Sequence, residues 1–230
     1  MKDRHVVVLS GAGISAESGL ATFRGAGGLW EGVPVSQVAT PEGWRRDVGT
    51  VLRFYNERRK AVKAAQPNAA HLALKALEDL FAVTIITQNI DDLHERAGSS
   101  SVIHLHGEIL KARSSRDEKL ITECMGDIHL GDRAADGSQL RPHVVWFGEA
   151  VPMMDKAIRA AQQADIFILV GTSLEVYPAA SLIDYVPFES PKFLIDPLPS
   201  GLADSSFHVV EASASEGIPR VVSQLRAMMA

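Results

Sequence analysis

Val6-Val-Val-Leu-Ser-Gly11-Ala-Gly13-Ile-Ser15 is the stretch that decides the fold. A short, uninterrupted β-branched run reads as a strand buried on both faces, which requires a parallel sheet covered by helices. The glycine turn that follows, with Ser15, Glu17 and Ser18 beyond it, lets backbone N–H groups approach a pyrophosphate at a helix start. A dinucleotide fingerprint would carry a third glycine that is missing here at its usual spacing, so a plain strand-end turn stands as the alternative.

Working outward, Val83 to Ile86, Ile166 to Val170 and Phe193 to Ile195 repeat the same signal. Helical patterns lie between them. One begins near Pro67-Asn68, with Asn68 able to cap, and runs through Ala70, Leu72, Leu74, Leu77 and Leu80. A second spans about Pro152 to Ala164, and a third follows Pro219, a residue suited to a first turn. Strand–helix alternation of this kind predicts an α/β, doubly wound parallel sheet. Residues 20–66 and 111–142 break the pattern, the first with glycines, prolines and helix-like text from Asp47 to Ala65, the second with polar text. Both read as excursions that pack together as a small inserted module. The expected division is a core of about 1–20, 67–110 and 143–230, with the module drawn from 21–66 and 111–142.

Composition bounds the rest. The 230 residues suit one good-sized domain; 46% are hydrophobic and 22% charged, as in a globular enzyme. Lys and Arg number 23 against 28 Asp and Glu, a net charge of −5 that argues against nucleic-acid binding by phosphate neutralisation. A single cysteine, Cys124, excludes a disulfide framework. No apolar run approaches the roughly eighteen residues of a membrane span, and Met1-Lys-Asp-Arg-His with Val6 to Leu9 lacks the features of a signal peptide, so the expectation is a cytoplasmic protein that meets no membrane.

Four more clusters carry chemistry. Thr87-Gln88-Asn89-Ile90-Asp91-Asp92 follows the second strand, where such sheets bind ligands, although Asp91 or Asp92 could simply start a helix. His104-Leu-His106-Gly107-Glu108 would put two imidazoles on one strand face, as metal ligands, a general base or hydrogen-bonded core residues. Gly171-Thr172-Ser173 ends the third strand, and Ile195-Asp196-Pro197 ends the fourth, with an acid able to meet a ribose hydroxyl. Turns of this type at the ends of several buried strands favour a nucleotide-sized ligand along one sheet edge.

Gly11-Ala-Gly-Ile-Ser-Ala-Glu-Ser-Gly19, Thr22-Phe23-Arg24, Gln88-Asn-Ile-Asp91, His104-Leu-His106-Gly107, Val145-Trp-Phe-Gly-Glu149 and Gly171-Thr-Ser173 together resemble the sirtuins, the NAD-dependent protein deacylases. The resemblance runs from about residue 5 to the last helix. It implies a Rossmann-type domain plus a small module, with NAD and an acylated lysine of another protein entering between them. The products would be nicotinamide and an O-acyl-ADP-ribose. Gly11, Ala12, Gly13, Ile14, Ser15 and Glu17 would hold NAD, Phe23, Arg24 and Trp30 would cover its reactive ribose, and Gln88, Asn89, Ile90 and Asp91 would order ribose and carboxamide. Gly171, Thr172, Ser173, Asp196 and Ala214 would meet the adenosine end, Asn being commoner than Asp196 in the family. His106 would be the general base, with Asn89 and Asp91 beside it in the catalytic set. Val144 to Gly148, Phe147 included, would take the substrate backbone as an added strand.

The chain departs from the common pattern twice. Most sirtuins hold a structural zinc with four cysteines, but here Ser114 and Ser115 stand where the first ligand would be. Cys124 and His129 supply two ligands at best, so zinc is expected to be absent and the module to be held by apolar packing alone. Tyr55 and Arg58 share a helix face in Phe54-Tyr55-Asn-Glu-Arg58, a pattern that resembles the branch removing succinyl, malonyl and glutaryl groups. Arg58 would clamp the acyl carboxylate, Tyr55 would donate to it, and Ala26 would widen the pocket; a solvated basic helix face is the alternative. Two rivals to the deacylase reading remain: a metal-dependent hydrolase using His104, His106, Asp91 and Asp92, and a non-catalytic NAD or ADP-ribose sensor.

Overall fold

The structure is a computed structural model, described here for residues 4–22, 29–199 and 206–228. Among the described residues the strands are β1 (His5–Ser10), β2 (Leu29–Trp30), β3 (Val33–Pro34), β4 (Ala82–Thr87), β5 (Val102–His104), β6 (Gly107–Ser114), β7 (Ile121–Glu123), β8 (Leu140–Val144), β9 (Ile166–Val170), β10 (Lys192–Asp196) and β11 (Phe207–Glu211). The α-helices are α1 (Val35–Val38), α2 (Pro41–Arg46), α3 (Val48–Ala64), α4 (Ala69–Leu77), α5 (Leu93–Arg96), α6 (Met154–Gln162) and α7 (Ala214–Ala227).

Six strands form one sheet in the order β11-β10-β9-β1-β4-β5, every pair parallel. Order reverses at β1, which lies between β4 and β9, so the ligand crevice of a doubly wound sheet opens beyond Ser10 and Val170. Alternation within β1 shows why Val6 to Leu9 are all apolar. Val6 and Val8 face a layer built from α4 and α7, while Val7 and Leu9 face α6 and the 3-10 turn at Ala179–Tyr185.

Asn68 caps α4 as expected, its Oδ1 accepting from Ala70 N at 2.9 Å. The helix stops at Leu77, however, and Leu80 lies in a half-exposed turn beyond it. The last helix is the larger correction. It begins at Ala214, so Pro219 sits inside it rather than in its first turn. The early start has a cause far away in sequence: the Glu17 carboxylate accepts from Ser215 N at 2.9 Å and from Ser213 Oγ at 3.1 Å, filling the role of an N-cap.

The two excursions meet through α3 and the antiparallel sheet β7-β6-β8. Asp47 caps α3 by accepting from Thr50 N at 2.9 Å. Val51, Tyr55 and Val62 on one face of α3 pack with Ile109, Val144 and Trp146. Apolar packing does not act alone, contrary to expectation. Asn56 clasps the backbone of Ile128 through two 2.9 Å hydrogen bonds. The hydroxyls of Ser114 and Ser138 lie 2.7 Å apart, and each lies 2.7 Å from a carboxylate oxygen of Asp136. The amides of Arg116 and Asp117 both donate to Ser114 Oγ at 3.0 Å. A polar knot thus ties β6 to the 136–138 turn where the resemblance would put zinc ligands, and the chemistry of its hydroxyl donors does not suit that metal.

Candidate active site

A cleft of about 930 Å³ opens at the switch point, between the six-stranded sheet and the α3–β8 layer. Its floor is made where two strand ends interlock. Gly13 N donates to Gly171 O at 2.8 Å and Gly11 N donates to Val170 O at 3.0 Å. A Cβ on Gly13 would stand 2.6 Å from the Gly171 Cα, and one on Gly171 would stand 2.4 Å from Ile14 N. Only bare backbone fits, so a ligand can approach the peptide plane closely.

Beside this floor the end of β4 is drawn in by hydrogen bonds. Gln88 Nε2 donates to Thr172 Oγ1 at 2.9 Å, bridging the turns after β4 and β9. Ser15 Oγ donates to Asp91 Oδ2 at 3.0 Å and accepts from Asn89 Nδ2 at 3.1 Å. Asp91 also accepts from Leu93 N at 3.1 Å, which makes it part of the α5 start. Burial raises the pKa of Asp91, and its hydrogen bonds from Leu93 and Ser15 oppose that shift. The result is a rigid serine–amide–carboxylate triangle at the foot of the cleft.

The histidines of the third cluster separate. His104 turns away to Glu95, with Nε2 2.7 Å from Oε1, and the net effect of that partner outweighs desolvation and raises its pKa. His106 lines the cleft. Its Nδ1 lies 2.9 Å from the Gln88 carbonyl oxygen, which can only accept. The proton therefore sits on Nδ1, and Nε2 keeps a lone pair for the cleft. Burial lowers the His106 pKa, so the imidazole is neutral at pH 7. No group of three or more His, Cys, Asp or Glu side chains among the described residues is arranged to hold a metal, and the four residues of the hydrolase rival do not converge.

Of the residues expected on sequence grounds, Gly11, Ala12, Gly13, Ser15, Glu17, Trp30, Gln88, Asn89, Ile90, Asp91 and His106 line the cleft. So do Gly171, Thr172, Ser173, Asp196 and Ala214 on the β9–β10 side. Ile14 is core, fully buried behind the glycines. Glu17 reaches the cleft wall with its carboxylate already engaged by α7. Phe23, Arg24 and Ala26 lie outside the described residues. The amides of Val145, Trp146 and Phe147 are committed to His106 O, Glu149 Oε2 and Ala39 O, so an added strand would have to be met by other groups of Val144–Gly148.

Sequence reasoning missed how the acyl end is braced. Tyr55 is fully buried, and its hydroxyl accepts from Trp146 Nε1 at 2.9 Å, which leaves its own proton to donate. Burial raises its pKa, so that proton stays on. The Arg141 guanidinium lies 3.2 Å above the Trp146 ring and pairs with Glu149 at 2.6 Å, holding the indole in place. Arg58 stands at the same end of the cleft, with Glu31 against it. Trp146 was quoted only as part of a motif; an indole beside a phenol in the folded chain carries no local sequence signal.

A doubly wound sheet with a glycine floor and a neutral cleft histidine defines a nucleotide-using enzyme of the Rossmann class. The family model described as Sir2 family matches residues 11–178, and the chain belongs to that family. A protein of Bacteroides thetaiotaomicron named NAD-dependent protein deacylase is 54% identical over 222 residues, covering 94% of this chain and 95% of its own. One of Helicobacter pylori with the same name is 54% identical over 194 residues, 84% of this chain and 85% of its own. Among solved structures, a Sir2 homologue in complex with NAD superposes with a TM-score of 0.88 at 38% identity, covering 98% of this chain and 91% of that one. A complex of Sir2, a p53 peptide and NAD+ gives 0.80 at 30%, covering 98% and 94%.

Proposed function

We propose that this chain is an NAD-dependent protein-lysine deacylase that prefers dicarboxylic acyl groups such as succinyl and malonyl and also accepts acetyl. The carrying observation is His106, which lines the cleft with its Nδ1 held by the Gln88 carbonyl. The relatives named above support the reaction class. The glycine floor fits a pyrophosphate, the Ser15–Asn89–Asp91 triangle fits a ribose and carboxamide, and Thr172, Ser173 and Asp196 fit the adenosine end. Bound there, NAD would supply an electrophilic ribose carbon open to the acyl oxygen of the substrate, with nicotinamide as leaving group. His106 Nε2 then takes the proton from a ribose hydroxyl so that its oxygen can attack the acyl carbon. An aromatic such as Phe23 would exclude water that would otherwise hydrolyse NAD.

The acyl preference draws on Tyr55, with a hydroxyl proton free to donate, and on Arg58 beside it, both lining the cleft. Acylated lysines of other proteins are the substrates, in a cytoplasmic setting that the lone thiol suits. Mass spectrometry of acetyl- and succinyl-lysine peptides with and without NAD tests the class. Loss of acyl groups without NAD, or its abolition by chelator, would favour the metal hydrolase; NAD binding with no turnover would favour the sensor. For the preference, Arg58→Met should lower the succinyl-to-acetyl ratio of kcat/KM by about 30-fold or more, since deleting one partner of such a pair costs roughly 2–5 kcal/mol.

A further inference from the structure

The acyl end of the cleft already holds a carboxylate. Glu31 occupies the first position of the two-residue turn between β2 and β3, and it lines the same cleft as Tyr55 and Arg58. Its Oε1 meets Nη1 of Arg58 directly. Both side chains are largely withdrawn from water, with exposures of 30% for Glu31 and 18% for Arg58.

Two further features single this contact out. Glu31 has φ of +50° and Gly32 has φ of +78°, the combination of a type I′ hairpin. That first position favours Asn, Asp or Gly, and a long side chain there is held against its backbone preference. Strain of this kind persists where the surroundings demand a particular side chain, often at a functional site. Second, Nε and Nη1 of Arg58 are both buried and neither makes a hydrogen bond among the described residues, so Glu31 offsets the charge without satisfying the guanidinium's donors. With Glu31 in place these nitrogens are buried, so a carboxylate arriving along the cleft reaches the guanidinium fork only by taking the place of Glu31.

We propose that Glu31 is a specificity-determining residue, an internal carboxylate that occupies Arg58 until a dicarboxylic acyl chain displaces it. The proposal rests on the reading of Arg58 as the acyl-carboxylate partner. In the empty enzyme Glu31 spares the protein an unpaired, half-buried guanidinium. An incoming succinyl group must break that pair before it gains its own, whereas an acetyl group can enter beside the intact pair. Glu31 therefore narrows the gap between the two substrates that Arg58 alone would create.

Steady-state kinetics on peptides that differ only in a succinyl or acetyl group, at saturating NAD, test this in a mutant cycle. Glu31→Gln removes the charge and keeps the size. It should raise the succinyl-to-acetyl ratio of kcat/KM by about fivefold, through KM for the succinyl peptide, as expected for a partly screened pair. In an Arg58→Met background the same exchange should change the ratio by less than about twofold, because the group that couples Glu31 to the substrate is gone. Glu31→Gly is the second variant: it removes the carboxylate, relaxes the turn, and should raise the ratio as well. A ratio that stays level or falls in both Glu31 variants overturns the proposal, as does an equal rise in the Arg58→Met background. Arg58→Met alone reports on the underlying reading. If it leaves the ratio unchanged, Arg58 reads no carboxylate, and the acyl preference fails together with the role given to Glu31.

Discussion

Gly171→Ala should damage stability and nucleotide binding together, and the reason can be worked from a few distances. Gly171 has φ of +62°, where an alanine pays about 1–2 kcal/mol for its Cβ. The new Cβ would also lie 2.4 Å from Ile14 N, 2.7 Å from Gly13 C and 2.8 Å from Gly13 Cα, all of them backbone atoms. No rotamer relieves a clash with backbone, so the turns after β1 and β9 must part by about 1 Å to restore ordinary contact. That movement stretches the Gly13–Gly171 hydrogen bond, whose loss costs about another 1 kcal/mol. The sum is about 2–3 kcal/mol, or a melting temperature lower by about 4–12 °C for a chain of this size. Because the same turns form the cleft floor, NAD affinity measured by calorimetry should fall at least about tenfold, the effect of losing close backbone approach to a phosphate. Gly137→Ala serves as the control. It has φ of +77° with nothing within 4 Å of its would-be Cβ, so it should show the backbone penalty and leave NAD binding alone. Native stability and affinity in Gly171→Ala would refute the claim that the interlocked turns are the nucleotide floor.

His106→Ala should lower deacylation by about 10²–10⁴-fold while NAD binding, read by calorimetry, largely survives; turnover close to that of the unaltered enzyme would remove the base assignment. Elemental analysis should find less than one equivalent of zinc per chain, and Ser114→Ala should lower the melting temperature by opening the knot with Asp136 and Ser138. Stoichiometric zinc would show that other ligands exist. Burial holds the pKa of His71 down at about 4 and lowers that of His94 as well. Between about pH 6.5 and 4 the unfolded chain therefore binds protons that the folded chain refuses, and stability should fall with pH through that window. Asp91, with its raised pKa, works in the opposite direction. A flat melting temperature across the window, in a thermal scan, would mean that the two imidazoles are not buried as described.

The sheet was legible because its strands solve a local problem. Val6 to Leu9 and Ile166 to Val170 must be apolar on both faces, so each declares itself without reference to any other residue, and the observed strands extend these runs by at most one residue at either end. Helix ends were less legible, because what ends or starts a helix can come from elsewhere. Ser213-Ala-Ser-Glu216 has the spacing of a capping box, yet the Ser213 side chain makes no cap; the carboxylate that meets the helix start belongs to Glu17, far away in sequence. The same holds for the small module, whose missing cysteines suggested packing alone. A serine in Arg113-Ser-Ser gives no hint that Asp136 and Ser138 will reach it across the sheet.

Charged residues in the cleft carry this limit furthest. Spacing put Tyr55 and Arg58 on one helix face, the family resemblance implied that the pair reads a carboxylate, and both do line the cleft. Spacing did not reveal that each would arrive with a partner: the Trp146 indole for Tyr55, and Glu31 for Arg58. These partners have opposite consequences for the same function. The indole N–H uses a lone pair of the Tyr55 oxygen and so directs the phenolic proton outward, which helps an acceptor bind. The Glu31 carboxylate uses the guanidinium that an acyl carboxylate would need, which hinders it. A motif read from sequence specifies which groups are present, whereas affinity depends on what those groups must give up when the ligand comes. Under the acyl preference proposed above, Trp146 and Glu31 would weigh on it as much as the Tyr–Arg pair itself, and exchanging Glu31 alone should widen it.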